Sequence, residues 1–183
     1  MALRPAIVVW LVLTTPACAT DWRILPAKSW LGFAGTMAGA PFDGRFTHWE
    51  AAISFDPADP GYGHAVVTIE MASAVTGDLQ KDRALPQSDW FDAKTFPKAT
   101  FEALSFRLKN GNSYEAVGTL TIRNVKKEVT MPVTIETTGD SLHAKGQLNL
   151  VRTDYGVGQG AWSSAQWVAL NVVAAFEVAA VRE

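Results

Sequence analysis

Apolar and polar residues alternate along most of the chain with a period of two, which is typical of strands that bury one face. The clearest runs are residues 116–122, 129–135 and 142–150. Asn110-Gly111-Asn112 separates two alternating segments, and this triplet is a strong hairpin signal. The pattern therefore predicts an all-β domain with roughly eight antiparallel strands, arranged as a barrel or a sandwich.

A barrel of about eight strands is just wide enough to be filled by its own side chains or to hold one small ligand. Small residues on the predicted inner face, such as Ala116 and Gly118, leave room for a ligand. They are equally compatible with a tapering barrel that holds nothing. The alternation predicts that a cavity, if present, is lined by Phe33, Phe55, Val67, Ile69, Phe101, Ala116, Leu120, Ile122, Met131, Val133, Leu148, Leu170 and Val172.

Two segments depart from this pattern. Residues 78–94 mix charged residues with isolated large apolar ones, which predicts a short helix and turn that cover one mouth of the barrel. The last strand is predicted from Trp167 to Val181 and is apolar on both faces.

We expect the cavity, if present, to open near residues 78–91, so that a polar end of a bound ligand would lie at that mouth. Asp82, Arg83 and Arg152 are weaker candidates for contacting such a polar end. An ion pair of Arg152 with Asp154 or another carboxylate is the favoured alternative role for Arg152.

The N-terminus has the features of a secretory signal peptide. Arg4 precedes the apolar run 6–13, and Ala17-Cys18-Ala19 forms a small-residue cleavage site. We therefore expect residues 1–19 to be a signal peptide, residues 20–183 to form one mature domain, and the protein to reach a bacterial periplasm. Cys18 is the only cysteine, and a lipidated Cys18 is the alternative.

The charge and the reactive residues disfavour several functions. The formal net charge of −2 comes without a basic stripe, which argues against nucleic acid as a partner. The three histidines have no second ligand at metal-binding spacing, so no metal site is expected. Because no G-x-S-x-G motif or other catalytic constellation occurs, we expect neither an enzyme nor a bound cofactor.

Several short motifs occur together and in a fixed order along the chain. They are Ser73 with Thr76-Gly77, Phe91-Asp92, Phe96-Pro97, Gly118-Thr-Leu-Thr-Ile122 and Arg152-Thr-Asp-Tyr-Gly156. In order and spacing they resemble the YceI-like family of secreted lipocalin-like proteins that bind polyisoprenoid lipids. Lys28 and Asn124 depart from the family's usual histidine and glycine at these positions.

The resemblance implies an antiparallel lipocalin-like barrel of eight strands with a short helical cover. It also implies a carrier of a polyisoprenoid lipid or an isoprenoid-tailed quinone. The stretch Gly156-Val-Gly-Gln-Gly160 with Trp162 is similar to the family branch found beside inner-membrane b-type cytochromes, so an interaction module for such a cytochrome is the alternative. Whether the protein forms a homodimer is left open.

Overall fold

The computed structural model describes residues 20–183, so the predicted signal peptide and Cys18 lie outside the described residues. Antiparallel strands make up most of this region, and one short α-helix interrupts them. The elements are β1 (Asp21–Ile24), β2 (Trp30–Met37), β3 (Ala40–Phe46), β4 (Trp49–Ser54), β5 (His64–Glu70), β6 (Ala74–Val75), α1 (Leu79–Ala84), β7 (Lys98–Asn110), β8 (Ser113–Ile122), β9 (Val125–Thr138), β10 (Ser141–Val151) and β11 (Asn171–Arg182).

Together these strands form a closed barrel with eight strand positions. Three of these positions are each occupied by two shorter strands placed end to end. They are β1 with β2, which both pair with β11, then β3 with β4, and then β5 with β6. Each of the strands β7 to β11 occupies one position alone. The pairing of β1 with both β4 and β11 closes the barrel, which confirms the predicted antiparallel lipocalin-like architecture.

The period-two pattern places side chains as predicted along β8. Tyr114, Ala116, Gly118 and Leu120 are buried, and the residues between them are partly exposed. β7 differs, because a bulge after Ala103 shifts its register against β8. A bulge adds one residue to a strand and so reverses the alternation. Unbroken alternation from Phe101 and Ala103 would put Ser105 on the inner face, but Phe106 points inward instead and Leu104 is 59% exposed.

One end of the barrel is closed by side chains of the strands and their turns. We call it the packed end, defined by Trp22, Phe55, Phe106 and Tyr114. The Phe55 ring meets Phe106 and Tyr114 edge to face, with centroids 5.3 and 5.4 Å apart. Trp22 Nε1 donates a hydrogen bond of 2.8 Å to the Phe55 carbonyl oxygen. Edge-to-face pairs contribute about 0.5–1.5 kcal/mol each beyond the area they bury.

The opposite end, which we call the covered end, is closed by segments between strands. They are α1, residues 85–97 (the cover segment) and residues 152–170. Asp78 caps α1 by accepting hydrogen bonds from the backbone N–H groups of Gln80 and Lys81. Arg123 at the β8–β9 turn donates to the carbonyl oxygens of Ser88 and Trp90, which fastens the cover segment to the barrel.

The final strand begins at Asn171, so the prediction that it begins at Trp167 was wrong. Residues 167–170 still bond to the end of β2, through an isolated bridge between Met37 and Val168 and from the Ala169 N–H to the Thr36 carbonyl oxygen, but they do not continue the strand. The Trp167 carbonyl oxygen accepts from the Ala38 N–H, and the Leu170 carbonyl oxygen accepts from the Arg152 N–H. Among residues 20–183, no helix is long and apolar enough to cross a membrane.

Candidate ligand-binding site

The barrel encloses a cavity of about 140 Å³, and every side chain that lines it is apolar. The cavity offers a ligand neither a charge nor a side-chain hydrogen bond. A ligand would therefore be held there by the burial of its apolar surface. The lining residues are Leu31, Trp49, Ala51, Ile53, Phe55, Ala65, Val67, Ile69, Phe101, Phe106, Ala116, Leu120, Met131, Val133, Ile135, Leu142, Ala144, Leu148, Ala174, Ala175, Phe176 and Val178.

Most of the residues predicted to line a cavity do so in the structure. Those that border it are Phe55, Val67, Ile69, Phe101, Ala116, Leu120, Met131, Val133 and Leu148. Phe33, Ile122, Leu170 and Val172 do not border it. Ile122 packs instead against the small buried cluster of Met71, Ala93 and Ala99, and Leu170 precedes the last strand.

Phe33 shows why an inward side chain need not border the cavity. Its ring packs against Phe46 and Phe91, with centroid distances of 5.2 and 6.3 Å, and the Phe46 and Phe91 centroids are 6.1 Å apart. We call these three rings the aromatic partition. Because Phe91 belongs to the cover segment, this partition stands where an open mouth was expected.

A second cavity, the covered-end chamber, lies beyond the partition and has a volume of about 250 Å³. Leu31 and Met37 lie on the same face of β2. Leu31 borders the barrel cavity, Met37 borders the chamber, and Phe33 lies between them. The chamber is lined by Met37, Phe42, Asp78, Gln80, Lys81, Ala84, Leu85, Trp90, Trp162 and Val168.

The chamber combines aromatic walls with a polar side formed by α1. The Trp90 and Trp162 rings are tilted at 44° with centroids 5.6 Å apart. Asp78 and Lys81 form an ion pair on the polar side, and hydrogen bonding from Lys81 holds the pKa of Asp78 below its usual value. Sequence reasoning did not find this chamber, because its walls come from three distant segments that share no motif.

Neither Asp82 nor Arg83 lines the chamber or the barrel cavity. The Asp82 carboxylate accepts hydrogen bonds from the Thr76 backbone N–H and hydroxyl, at 2.6 and 2.7 Å. These bonds lower the pKa of Asp82 from its usual value, and they tie α1 to β6. Arg83 is exposed on α1.

Arg152 is 3% exposed, and its guanidinium donates to backbone carbonyl oxygens only. The acceptors belong to Val157, Gly158, Trp162, Ser164, Val168 and Ala169, at 2.6–3.4 Å. The favoured alternative, an ion pair with Asp154 or another carboxylate, was wrong, because these acceptors are all carbonyl oxygens and Asp154 bonds to Lys127 at 2.6 Å. Burial lowers the pKa of Arg152.

The glycines of residues 156–160 make room for this guanidinium. Gly158 has φ of +81°, and a Cβ there would lie 1.8 Å from Arg152 Nη1. The N–H groups of Gly158 and Gln159 also donate to the Asp89 carbonyl oxygen, which links this loop to the cover segment. The Arg152 guanidinium lies 5.5 Å from the Trp90 ring, so it stands directly behind one wall of the chamber.

The described residues hold no cluster of three or more potential metal ligands. His64 pairs with Glu102 and His143 pairs with Glu177, and all four side chains are at least partly exposed. The barrel cavity offers apolar burial, and the chamber offers aromatic walls beside the Asp78–Lys81 ion pair.

These features define a class: a lipocalin-like antiparallel barrel that encloses an apolar cavity. Residues 22–180 match the YceI-like domain, and the chain belongs to that family. A solved structure of BcnA from Burkholderia cenocepacia is 34% identical, with a TM-score of 0.83 over 86% of this chain and 99% of that one.

Two further relatives are more distant. The match to Protein YceI of Escherichia coli O17:K52:H18 is 28% identical over 125 residues, which is 62% of this chain and 65% of that protein. The chain thus spans slightly less than two thirds of that relative. A polyisoprenoid binding domain from Saccharophagus degradans, implicated in plant cell wall breakdown, shares the fold with a TM-score of 0.69 at 13% identity. That match covers 90% of this chain and 99% of that one.

Proposed function

We propose that this protein is a periplasmic carrier that holds a polyisoprenoid lipid, or the isoprenoid tail of a quinone, inside its barrel. The observation that carries the proposal is the cavity of about 140 Å³ lined by apolar side chains alone. Burial contributes about 0.8 kcal/mol for each CH₂ group removed from water, so a hydrocarbon chain needs no polar contact to bind. Family membership and the polyisoprenoid binding domain with the same fold support this ligand class.

The size of the cavity limits what the described conformation can hold. An apolar cavity of about 150 Å³ accommodates a benzene molecule, so the barrel cavity has room for about one branched five-carbon unit. A longer tail requires additional space. The aromatic partition is the boundary whose movement would join the barrel cavity to the covered-end chamber.

The proposal can be tested by purifying the full chain without detergent from a bacterium that exports it. Organic extraction and mass spectrometry should then detect a co-purified isoprenoid lipid. Ala116→Trp fills the barrel cavity and should abolish co-purification, whereas Ala52→Trp, on the exposed face of β4, should not. Because Ala116 is tightly packed, Ala51→Phe serves as a second variant that fills the cavity. Undiminished lipid in folded cavity-filling variants would refute the proposal.

The cytochrome-interaction alternative rests on the glycine-rich stretch 156–160 with Trp162, and on the apolar outer face expected for the last strand. In the structure this stretch surrounds the Arg152 guanidinium, which gives its glycines a local role. No feature of residues 20–183 specifically favours a cytochrome partner, and the carrier therefore stands as the proposal. Periplasmic export predicts that the mature protein begins at Thr20, which N-terminal sequencing would test.

A further inference from the structure

We infer that the outer surface of the covered end docks on a membrane, and that its partner is a bilayer containing anionic lipids. The inference concerns the outside of the barrel and goes beyond the proposed function, because it does not depend on which ligand the barrel carries. Its test therefore uses vesicles that contain no isoprenoid lipid.

Large apolar side chains are exposed at several points around the covered end. Five of them are at least 37% exposed: Val75 at the end of β6, Leu79 on α1, Val125 at the start of β9, Val151 at the end of β10, and Trp167. At the packed end, by contrast, the exposed large apolar residues Tyr62, Leu104 and Leu108 are confined to β7 and the turn beside it. A flat surface can contact exposed residues on several sides of a barrel end at once, whereas a bound peptide contacts one side.

Two neighbouring segments of this end carry no charge. Residues 29–42 and 155–170 contain no Asp, Glu, Lys or Arg. They meet where the Ala38 N–H donates to the Trp167 carbonyl oxygen at 2.7 Å, and the Trp167 side chain is 54% exposed. Tryptophan is favoured at the boundary between membrane and water, because its ring is apolar and its N–H is polar. Trp167 can therefore enter that boundary without drawing a neighbouring charge out of water.

Basic residues accompany two of the exposed apolar residues. Leu79 and Arg83 are four positions apart on α1, so they share one face of this helix, and both are exposed. Lys126, also exposed, directly follows Val125 at the start of β9. No ion pair of Arg83 or Lys126 is found within residues 20–183. Both cations are therefore available to lipid phosphate groups.

The charge of the whole domain is distributed in the same sense. Residues 74–98, 122–130 and 152–170, which lie at or next to the covered end, hold eight basic and six acidic residues. The rest of residues 20–183 holds seven basic and twelve acidic residues. An anionic surface attracts the first group and repels the second, so these charges orient the covered end toward the membrane.

The test measures the partition of the full mature chain onto vesicles by flotation. Vesicles of phosphatidylcholine alone are compared with vesicles that also contain phosphatidylglycerol. We expect partition onto the anionic vesicles to be at least about tenfold stronger at low salt, because basic residues near such a surface are attracted to it. The difference should shrink as salt screens the charges. Equal partition onto both kinds of vesicle, or partition onto neither, would overturn the inference.

Two double variants locate the docking surface. Leu79→Ser with Trp167→Ser removes apolar contacts, and Arg83→Glu with Lys126→Glu reverses two charges. Each double variant should lower partition onto the anionic vesicles at least about tenfold, because burial of apolar area and attraction to anionic lipids both contribute to binding. Circular dichroism checks that each variant is folded. Wild-type partition of both folded variants would overturn the inference.

Matched control variants change the same kinds of residue away from the covered end. Tyr62→Ser with Leu104→Ser removes exposed apolar side chains of the packed end, and Lys28→Glu with Arg107→Glu changes the net charge by the same amount as the covered-end pair. Both controls should partition like wild type, and losses equal to those of the covered-end variants would overturn the inference.

A second copy of the chain is the competing occupant of this surface. Light scattering after gel filtration measures the mass of wild type and of the Leu79→Ser, Trp167→Ser variant. A dimer that this variant dissociates, without partition of wild type onto vesicles, would assign the surface to self-association and overturn the inference. An equal mass for the two proteins, together with the loss of partition in the variant, supports membrane docking.

Discussion

The two ends of the barrel are closed in different ways. At the packed end, the Phe55 ring is 1% exposed and lies among aromatic side chains carried by the strands and their turns. At the covered end, closure comes from α1, the cover segment and residues 152–170, which cross the barrel mouth. The packed end is thus closed by the main core cluster, and the covered end by segments that pack on the barrel through smaller buried clusters.

The interactions at the two ends differ as well. Edge-to-face rings hold the packed end, with Trp22 making a buried hydrogen bond there. At the covered end, directed polar contacts are added to the apolar packing: Arg152 to backbone carbonyls, Asp82 to Thr76, and Ser73 to the β3–β4 connection. Polar contacts of this kind can be exchanged for other polar contacts without opening the core. Such a layer suits an end through which a ligand enters, and the following predictions test the contrast.

The largest effect should come from truncating the packed end. Phe55→Ala is expected to lower the free energy of unfolding by about 3–5 kcal/mol, because it removes a fully buried ring and leaves a void. Phe91→Ala, in the aromatic partition, should cost clearly less, because Phe91 is partly exposed and can be replaced by solvent or ligand. Urea denaturation of both variants measures this difference. Equal losses would show that the partition belongs to the core.

Removal of the buried guanidinium should come next. Arg152→Met leaves carbonyl oxygens of residues 157–169 without their donor, and we expect a loss of about 3 kcal/mol. Arg107→Met is the matched control, because Arg107 is exposed on β7. That variant should stay within about 0.5 kcal/mol of wild type. A small effect of Arg152→Met would mean that the loop is held by its other contacts.

A smaller loss is expected at Ser73. Its hydroxyl donates to the Glu70 carbonyl oxygen at 2.7 Å and accepts from the His48 N–H at 3.1 Å. Ser73→Ala should therefore cost about 1–2 kcal/mol in chemical denaturation, since it leaves a partly buried N–H unpaired. Ser141→Ala, at an exposed turn of the packed end, should be close to neutral.

The smallest effect concerns acid. Hydrogen bonds depress the pKa of Asp78 and Asp82, so the stability that they contribute is complete above their usual pKa of 3.8. It is lost as the pH falls through their lower folded values. Amide exchange in α1 should then accelerate selectively below pH 3.8, while amides near Phe55 and Phe106 stay protected. In Asp82→Asn this acid transition should shrink, and an unchanged transition would contradict the role of Asp82.

The alternation of apolar and polar residues was sufficient to predict an all-β domain of about eight antiparallel strands and most of its inner face, and the family resemblance selected a barrel rather than a sandwich. The alternation correctly placed Leu120, Met131 and Val133, because residues on one face of a strand follow directly from period two. It failed at Phe106, where one extra residue in a bulge reverses the faces without any signal in composition. It also failed to show which inward residues border empty space. Whether an inward residue borders the cavity depends on side chains from distant segments. Phe33, for example, is covered by the ring of Phe91.

The covered end was less predictable for a related reason. Arg152 is a charged residue in the sequence, and a carboxylate two positions away suggested an ion pair. In the structure, the hydrogen-bond donors of Arg152 are paired with backbone carbonyl oxygens. Because every residue has such an oxygen, the sequence does not indicate which of them accept. Similarly, the sequence did not show why residues 156–160 are rich in glycine, whereas the structure shows that Gly158 is required by the close approach of Arg152.

The sequence distance between paired strands differs around the barrel, and this difference has a consequence for folding kinetics. β7, β8, β9 and β10 are joined in sequence by turns of two residues, so their contacts form between near neighbours in the chain. The closing contacts join β1 to β11, across nearly the whole domain, and β1 meets β4 at only two residue pairs. Contacts between distant residues are slow to form because the intervening chain must first be ordered. We therefore expect φ-values near zero for Trp22 and high values at the β8–β9 hairpin, so that barrel closure is the last step of folding.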